Sequence, residues 1–433
     1  MTQTTAETDA QCTCDEGRRA AGLTRRSFLG HTGALAAAGV AASVVGSESA
    51  LQLAFAGPGY TGDTVVVLSL RGGFDGLSAV VPVGDPAYAL ARPNIAVPAS
   101  RALRLDSMFG LHPALAPLNP LYTRGQLAFV HAVGQPTRTR SHFAAMQQME
   151  NAAPGSSLRT GWIDRMVGAT GSPSTFSAVA LNTKGVPPSM IGPNPDLVLG
   201  ELDDFALSCP DKAVEQQRWA TALRALNASA PAVIKTPAMA TLAAVATTRR
   251  VQATAYKPAG GAVYPSGELG TALRDVARLV KAGVGLRTAT VDIGDWDMHA
   301  GIGSSDKGWM FDRLTTLGQA LAAFATDLGK KLDDVTLVTL SEFGRRVVEN
   351  GSGGLDHGHG NLCMVLGGGV VGGRVYGRWP GLAAGQLDDG DLAGTTDYRT
   401  ILAEVLEKRG RLSSAPVFPG LPAGRLGLVR ARG

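Results

Sequence analysis

Thr64-Val65-Val66-Val67-Leu68-Ser69-Leu70, followed at once by Arg71-Gly72-Gly73-Phe74-Asp75-Gly76, is the stretch whose reading decides the fold. A short, apolar, β-branched-rich run reads as a strand, and the glycines after it read as a turn that delivers a carboxylate. Similar runs recur at Leu127–Val133, Ser177–Leu181, Thr288–Ile293, Val335–Leu340 and Leu362–Leu366. Between them, Glu268–Lys281 and Trp309–Leu328 carry apolar residues at three- and four-residue spacing, and Asp397–Lys408 does so near the end of the chain. Strands alternating with helices of this kind predict an α/β fold, a doubly wound and mostly parallel sheet with helices on both faces. Residues 136–257 follow the alternation poorly and are expected to form a helical, loop-rich insertion or cap on an α/β domain of residues 57–433.

Upstream of that domain, Thr24-Arg25-Arg26-Ser27-Phe28-Leu29 precedes an apolar run from Gly33 to Val45, and Ala54-Phe55-Ala56 offers a small-x-small cleavage pattern. Residues 1–56 therefore read as a twin-arginine signal peptide, which predicts passage through the twin-arginine translocase and a periplasmic, cell-wall-associated or secreted protein. The apolar run is too short to span a bilayer, and no later stretch is long enough, so no stable membrane span is expected. The formal net charge of +4 is a mild surplus, spread along the chain, and it gives no indication of nucleic acid. Beyond the signal only Cys209 and Cys363 remain, too few for a disulfide framework, and Cys363 reads as a small buried hydrophobe.

Open α/β sheets place ligands outside the carboxyl ends of their strands, so the polar residues just after each strand carry the functional argument. Asp75 follows the first strand. Gly294-Asp295-Trp296-Asp297-Met298-His299 follows Thr288–Ile293, with Asp295 and Asp297 both close to an imidazole. Ser341-Glu342-Phe343-Gly344-Arg345 follows Val335–Leu340, and Asp356-His357-Gly358-His359-Gly360 comes shortly after. Carboxylate with imidazole suits zinc, manganese or iron better than calcium or magnesium. Thr137-Arg138-Thr139-Arg140-Ser141-His142-Phe143 opens a helical pattern, which leaves two readings of Ser141 open: a helix N-cap, or a nucleophile at a helix N-terminus with Arg140 beside it. The chain has no G-x-S-x-G elbow, H-E-x-x-H, C-x-x-C, P-loop or dinucleotide fingerprint.

Taken in order, Gly72-Gly73-Phe74-Asp75-Gly76, Arg140-Ser141-His142-Phe143, Trp296-Asp297-Met298-His299, Ser341-Glu342-Phe343-Gly344-Arg345 and Asp356-His357-Gly358-His359-Gly360 resemble the bacterial family called domain of unknown function 1501. The resemblance runs from about Val65 to Pro422. That family is similar to the alkaline phosphatase and sulfatase superfamily, which implies a two-metal site with a serine nucleophile. On the resemblance Asp75, Asp356 and His357 would hold one ion, and Asp297, His299 and His359 the other. Glu342 would be a further ligand or stand behind one. The superfamily's usual Asp–His spacing fits Asp295, whereas the family motif emphasises Asp297. No Cys-x-Pro-x-Arg marks a sulfatase of the usual kind.

The implied cofactor is a divalent metal, zinc ahead of manganese or calcium, as one or two ions. The implied function is an exported metal-dependent hydrolase of phosphate or sulfate esters, small or polymer-borne. Ser141 would attack, and Arg140 and Arg345 would bind the non-bridging oxygens. A non-catalytic exported binding or assembly protein that keeps the hydrolase fold is the alternative.

Overall fold

A computed structural model describes residues 60–183, 185–209 and 213–433. The expected signal peptide at 1–56 lies outside the described residues. Nine strands form one sheet: β1 Thr64–Leu70, β2 Leu127–Gly134, β3 Ala178–Leu181, β4 Leu197–Leu199, β5 Thr288–Ile293, β6 Val335–Leu340, β7 Asn361–Gly367, β8 Val375–Tyr376 and β9 Thr396–Asp397. Their spatial order is β8-β2-β7-β6-β1-β5-β3-β4, with β9 also pairing β2. Only β7 runs against its neighbours. β1 lies between β5 and β6, pairing Val66 with Ala289 on one side and with Leu337 on the other. Every residue of β1 is buried, as a central strand covered on both faces should be.

Alternation along the strands divides the core in two. Val66, Leu68 and Leu70 of β1 face helices α5 Glu268–Ala282 and α6 Trp309–Leu328, through Leu273, Val276, Leu314 and Leu317. Val65 and Val67 face the other way, towards α2 Trp162–Ala169 and α7 Tyr398–Lys408, with Ile163, Ile401 and Val405 among their neighbours. Helix α1, His142–Asn151, adds Met149 to this second layer. The doubly wound, mostly parallel architecture expected from the alternation is the one observed.

Within 136–257, β3 and β4 pair in parallel and extend the sheet through β5, so these strands belong to its body. The excursion in that segment is a helical pair, α3 Ala213–Asn227 and α4 Ala232–Gln252. Both cysteines are free, with Cys363 buried in β7. No helix among the described residues is long and apolar enough to cross a membrane.

Candidate metal centre

The ends of β1, β2, β5 and β6 and the start of the reversed β7 lie along one edge of the sheet, and the polar loops meet there. Gly72 brings the first two together. Its φ is +113°, and a Cβ there would stand 2.7 Å from the backbone nitrogen of Asp297, so the loop after β1 lies directly on the loop after β5. Phe74 packs edge-on against Trp296 at 4.8 Å and fastens the same pair of loops. The loop after β6 pairs with the segment before β7: Gly358 N–H donates to Gly344 O and Arg346 N–H to Asp356 O, both at 2.9 Å. His357 is thereby carried on a short antiparallel pairing opposite Arg345.

Three imidazoles and one carboxylate converge at this edge. His142 Nε2 is 3.0 Å and His299 Nε2 2.9 Å from His357 Nε2. Asp297 Oδ1 lies 2.9 Å from His299 Nε2, 3.2 Å from His357 Nε2 and 3.6 Å from His142 Nε2. Each ring's other nitrogen faces an oxygen. His142 Nδ1 meets Glu342 Oε1 at 2.7 Å, His299 Nδ1 meets Asp356 Oδ1 at 3.2 Å, and His357 Nδ1 meets the carbonyl of Arg140 at 2.8 Å.

Carboxylate and carbonyl oxygens only accept, so in the neutral rings Nδ1 carries the hydrogen and each Nε2 turns a lone pair towards a common point. Lone pairs so close repel unless a cation or proton stands between them. Ligands around one zinc, at bonds near 2.0–2.1 Å, stand about 3.3 Å apart, close to the spacings among His142, Asp297 and His357. His142, Asp297 and His357 form the one group among the described residues that can hold a metal ion, and His299 flanks it.

Electrostatics agree with the geometry. Burial opposes charge on His142, yet hydrogen bonding to Asp297 and Glu342 raises its pKa to about 9. His299 is also raised, chiefly through Asp297. Burial works against ionised Asp297, but the three histidines and Arg345 hold it far below the usual carboxylate range. Burial likewise opposes ionised Glu342, and His142 draws it down. The cluster is a set of bases competing for protons that a cation would replace.

The other residues expected at the site are drawn elsewhere by stronger partners. Asp75 is a correction: both its oxygens are taken by Arg92, at 2.6 and 3.0 Å, in a pair that is fully buried, and the same carboxylate caps Gly76–Ala79. Asp295, at φ +74°, accepts from Trp309 Nε1 at 3.2 Å, so on that loop Asp297 is the carboxylate that reaches the histidines. Asp356 and Glu342 stand behind His299 and His142 and hold their rings. His359 is buried against Gly134 and Gly394, lining a small internal cavity with Gln135 and Tyr398. Among the described residues one set of side chains converges, His142, Asp297 and His357 with His299 beside them.

Arg140 and Arg345, expected to bind oxyanions, both have protein partners in the structure. Arg140 pairs with Asp391 at 2.7 Å and Asp389 at 3.1 Å, and only its carbonyl serves the site. Arg345 is 2 % exposed and donates to Gly72 O, Gly73 O, Trp296 O, Leu355 O and Asp297 Oδ1, tying together the loops that carry the ligands. Ser141 occupies the N-cap position of α1, and its side chain makes no cap bond.

Sequence reasoning missed His142 as a member of the cluster. It enters from the loop after β2, and nothing in its local spacing ties it to Asp297 or His357. The sign it carried was its place at a strand end beside Arg140, among the few histidines of the domain.

No characterised protein sequence matches the chain. Among solved structures it is similar to Ps i-CgsB in complex with k-i-k-neocarrahexaose, at 11% identity and TM-score 0.33 over 84% of this chain and 73% of that one. It is similar to the lipoteichoic acid synthase LtaP from Listeria monocytogenes, at 9% and 0.28 over 79% and 76%. It is also similar to the phosphonate monoester hydrolase of Agrobacterium radiobacter, at 10% and 0.30 over 84% and 78%. Scores of this size carry no argument about chemistry. A family profile matches residues 63–410, a span that contains all nine strands and the four converging side chains, and the chain belongs to that family, described as Protein of unknown function (DUF1501).

Proposed function

We propose that this chain is an exported hydrolase of phosphate or sulfate esters that depends on one divalent ion, zinc first, held by Nε2 of His142 and His357 and by Asp297, with His299 flanking the set. One observation carries the reading. Three imidazoles present Nε2 to a shared carboxylate oxygen while an oxygen acceptor fixes each Nδ1, the arrangement by which proteins orient histidine ligands. When bound, such an ion supplies Lewis-acid polarisation of an ester oxygen and eases deprotonation of an attacking hydroxyl or water.

The chain's own residues supply the rest. The first N–H groups of α1, beginning at His142, have no helical acceptor and lie beside the centre, where a helix N-terminus favours an anion. Ser141, one residue before His142 and with its hydroxyl outside the capping role, is the attacking group in this proposal. Asp297 is partly exposed, with 42% of its side chain open, so an ester can reach the cluster from solvent.

His299 beside the set would close a four-ligand shell of the kind that holds structural zinc, and this favours the second reading, an exported binding or assembly protein with a structural metal. A panel of phosphomonoesters, phosphodiesters and sulfate esters separates the two. Turnover lost in Ser141→Ala with metal content intact supports the hydrolase, and metal-loaded wild type inert across the panel overturns it. Export by the twin-arginine route rests on Arg25, Arg26 and the apolar run after them. Its test is N-terminal sequencing of extracytoplasmic protein, expected to begin at Gly57, with Arg25→Lys/Arg26→Lys retained inside the cell.

A further inference from the structure

From Gln216 to Gly267 the chain contains no acidic residue and six basic ones, Arg218, Arg224, Lys235, Arg249, Arg250 and Lys257. This acid-free stretch includes nearly all of the α3–α4 pair. Helix α3 buries a single described side chain, Gln216, so almost its whole surface faces solvent. What it shows to solvent is unusually apolar. Trp219, Ala222 and Leu226 follow one another at three- and four-residue spacing and form one stripe, with Trp219 49% and Leu226 76% exposed. At the turn into α4 the stripe continues into Ala228, Ala230, Pro231, Val233 and Ile234, the last two 51% and 53% exposed. Arg224 and Lys235 flank this apolar tip.

We infer that the α3–α4 hairpin docks on the surface of an anionic lipid bilayer. The inference is independent of the metal centre. The positive charge of Arg224 and Lys235 beside the tip complements anionic headgroups, and large apolar side chains at a hairpin tip enter the headgroup and acyl boundary without spanning the membrane. A nucleic acid would satisfy the arginines but leave Leu226, Val233 and Ile234 in water. Lipid takes both. Helix α4 anchors the hairpin to the body by burying Leu242, Ala244 and Val245, so docking would hold the protein at the membrane through a rigid element.

The test is co-sedimentation of the full chain with phosphatidylglycerol and with phosphatidylcholine vesicles, at low and at high salt. Wild type, Leu226→Ser/Ile234→Ser and Arg224→Glu/Lys235→Glu are compared. All three share the same N-terminal segment, so differences among them report the hairpin. The expected result is a preference of wild type for phosphatidylglycerol that weakens with salt, and at least a tenfold loss of partitioning in each double variant at unchanged melting temperature. Vesicle-dependent blue shift of tryptophan emission should disappear in Trp219→Phe. Two results would overturn the inference: variants that partition like wild type, or a wild-type dimer that ignores vesicles and dissociates on Leu226→Ser/Ile234→Ser, which would give this surface to a second copy.

Discussion

Replacing Glu342 by alanine separates a metal centre from an accidental gathering of histidines. Glu342 is 1 % exposed, its Oε1 accepts the Gly72 N–H at 2.8 Å, and it holds His142 Nδ1 at 2.7 Å. Alanine leaves two part-buried donors without this acceptor, each costing at most about 1–3 kcal/mol, so folding stability should fall by no more than roughly 2–6 kcal/mol. It also frees the His142 ring. Removing an oxygen acceptor behind a ligating histidine typically lowers metal affinity about 10–100-fold, which is ~1.4–2.7 kcal/mol of binding. Glutamine keeps an acceptor oxygen for both donors and should weaken binding less than about tenfold on the same reasoning. Competition titration of zinc against a chelator gives the affinities, and urea unfolding of metal-stripped protein gives the stability. Unchanged zinc affinity in a folded Glu342→Ala protein would refute the role assigned to this carboxylate.

Acidity should act in opposite directions on stripped and loaded protein. With His142 raised to about 9 from an unfolded value near 6.5, its protonated form stabilises stripped protein fully below pH 6.5, and that contribution is lost as pH rises through 9. Zinc affinity should climb over the same range as the proton leaves, and urea midpoints with and without zinc at pH 6.5 and 9 check both trends. Asp75→Asn should strand the buried charge of Arg92, costing about 3–5 kcal/mol in urea unfolding, while elemental analysis still finds the same metal content. Gly72→Ala forces a Cβ onto the Asp297 backbone at a positive φ, and should lower stability by about 1–3 kcal/mol and weaken zinc binding in the same titration.

The strands at the centre of the sheet could be read from sequence because their physics is local. β1, β5 and β6 are continuous apolar, β-branched runs, and the structure gives them the expected bounds. β4, only Leu197–Leu199, and the two-residue β8 and β9 are too short to show a pattern, and they exist because a neighbouring strand offers an edge to pair with. The site was readable to the level of loops. Which side chain in each loop faces the centre depends on contacts distant in sequence. Asp75 is captured by Arg92, seventeen positions along, and Asp295 is turned aside by a left-handed backbone and Trp309. His142 joins partners more than 150 residues away, a proximity that no spacing rule contains. Arg345 looked like a substrate ligand because arginine binds oxyanions, but burial commits its donors to the carbonyls of three loops.

Anomalous diffraction at the zinc edge, from crystals of the protein grown with zinc, tests the central claim most directly. The account predicts one peak per chain, about 2.0–2.2 Å from Nε2 of His142 and His357 and from a carboxylate oxygen of Asp297. A peak at Asp75 or His359, or none at the three histidines in zinc-loaded crystals, would contradict it.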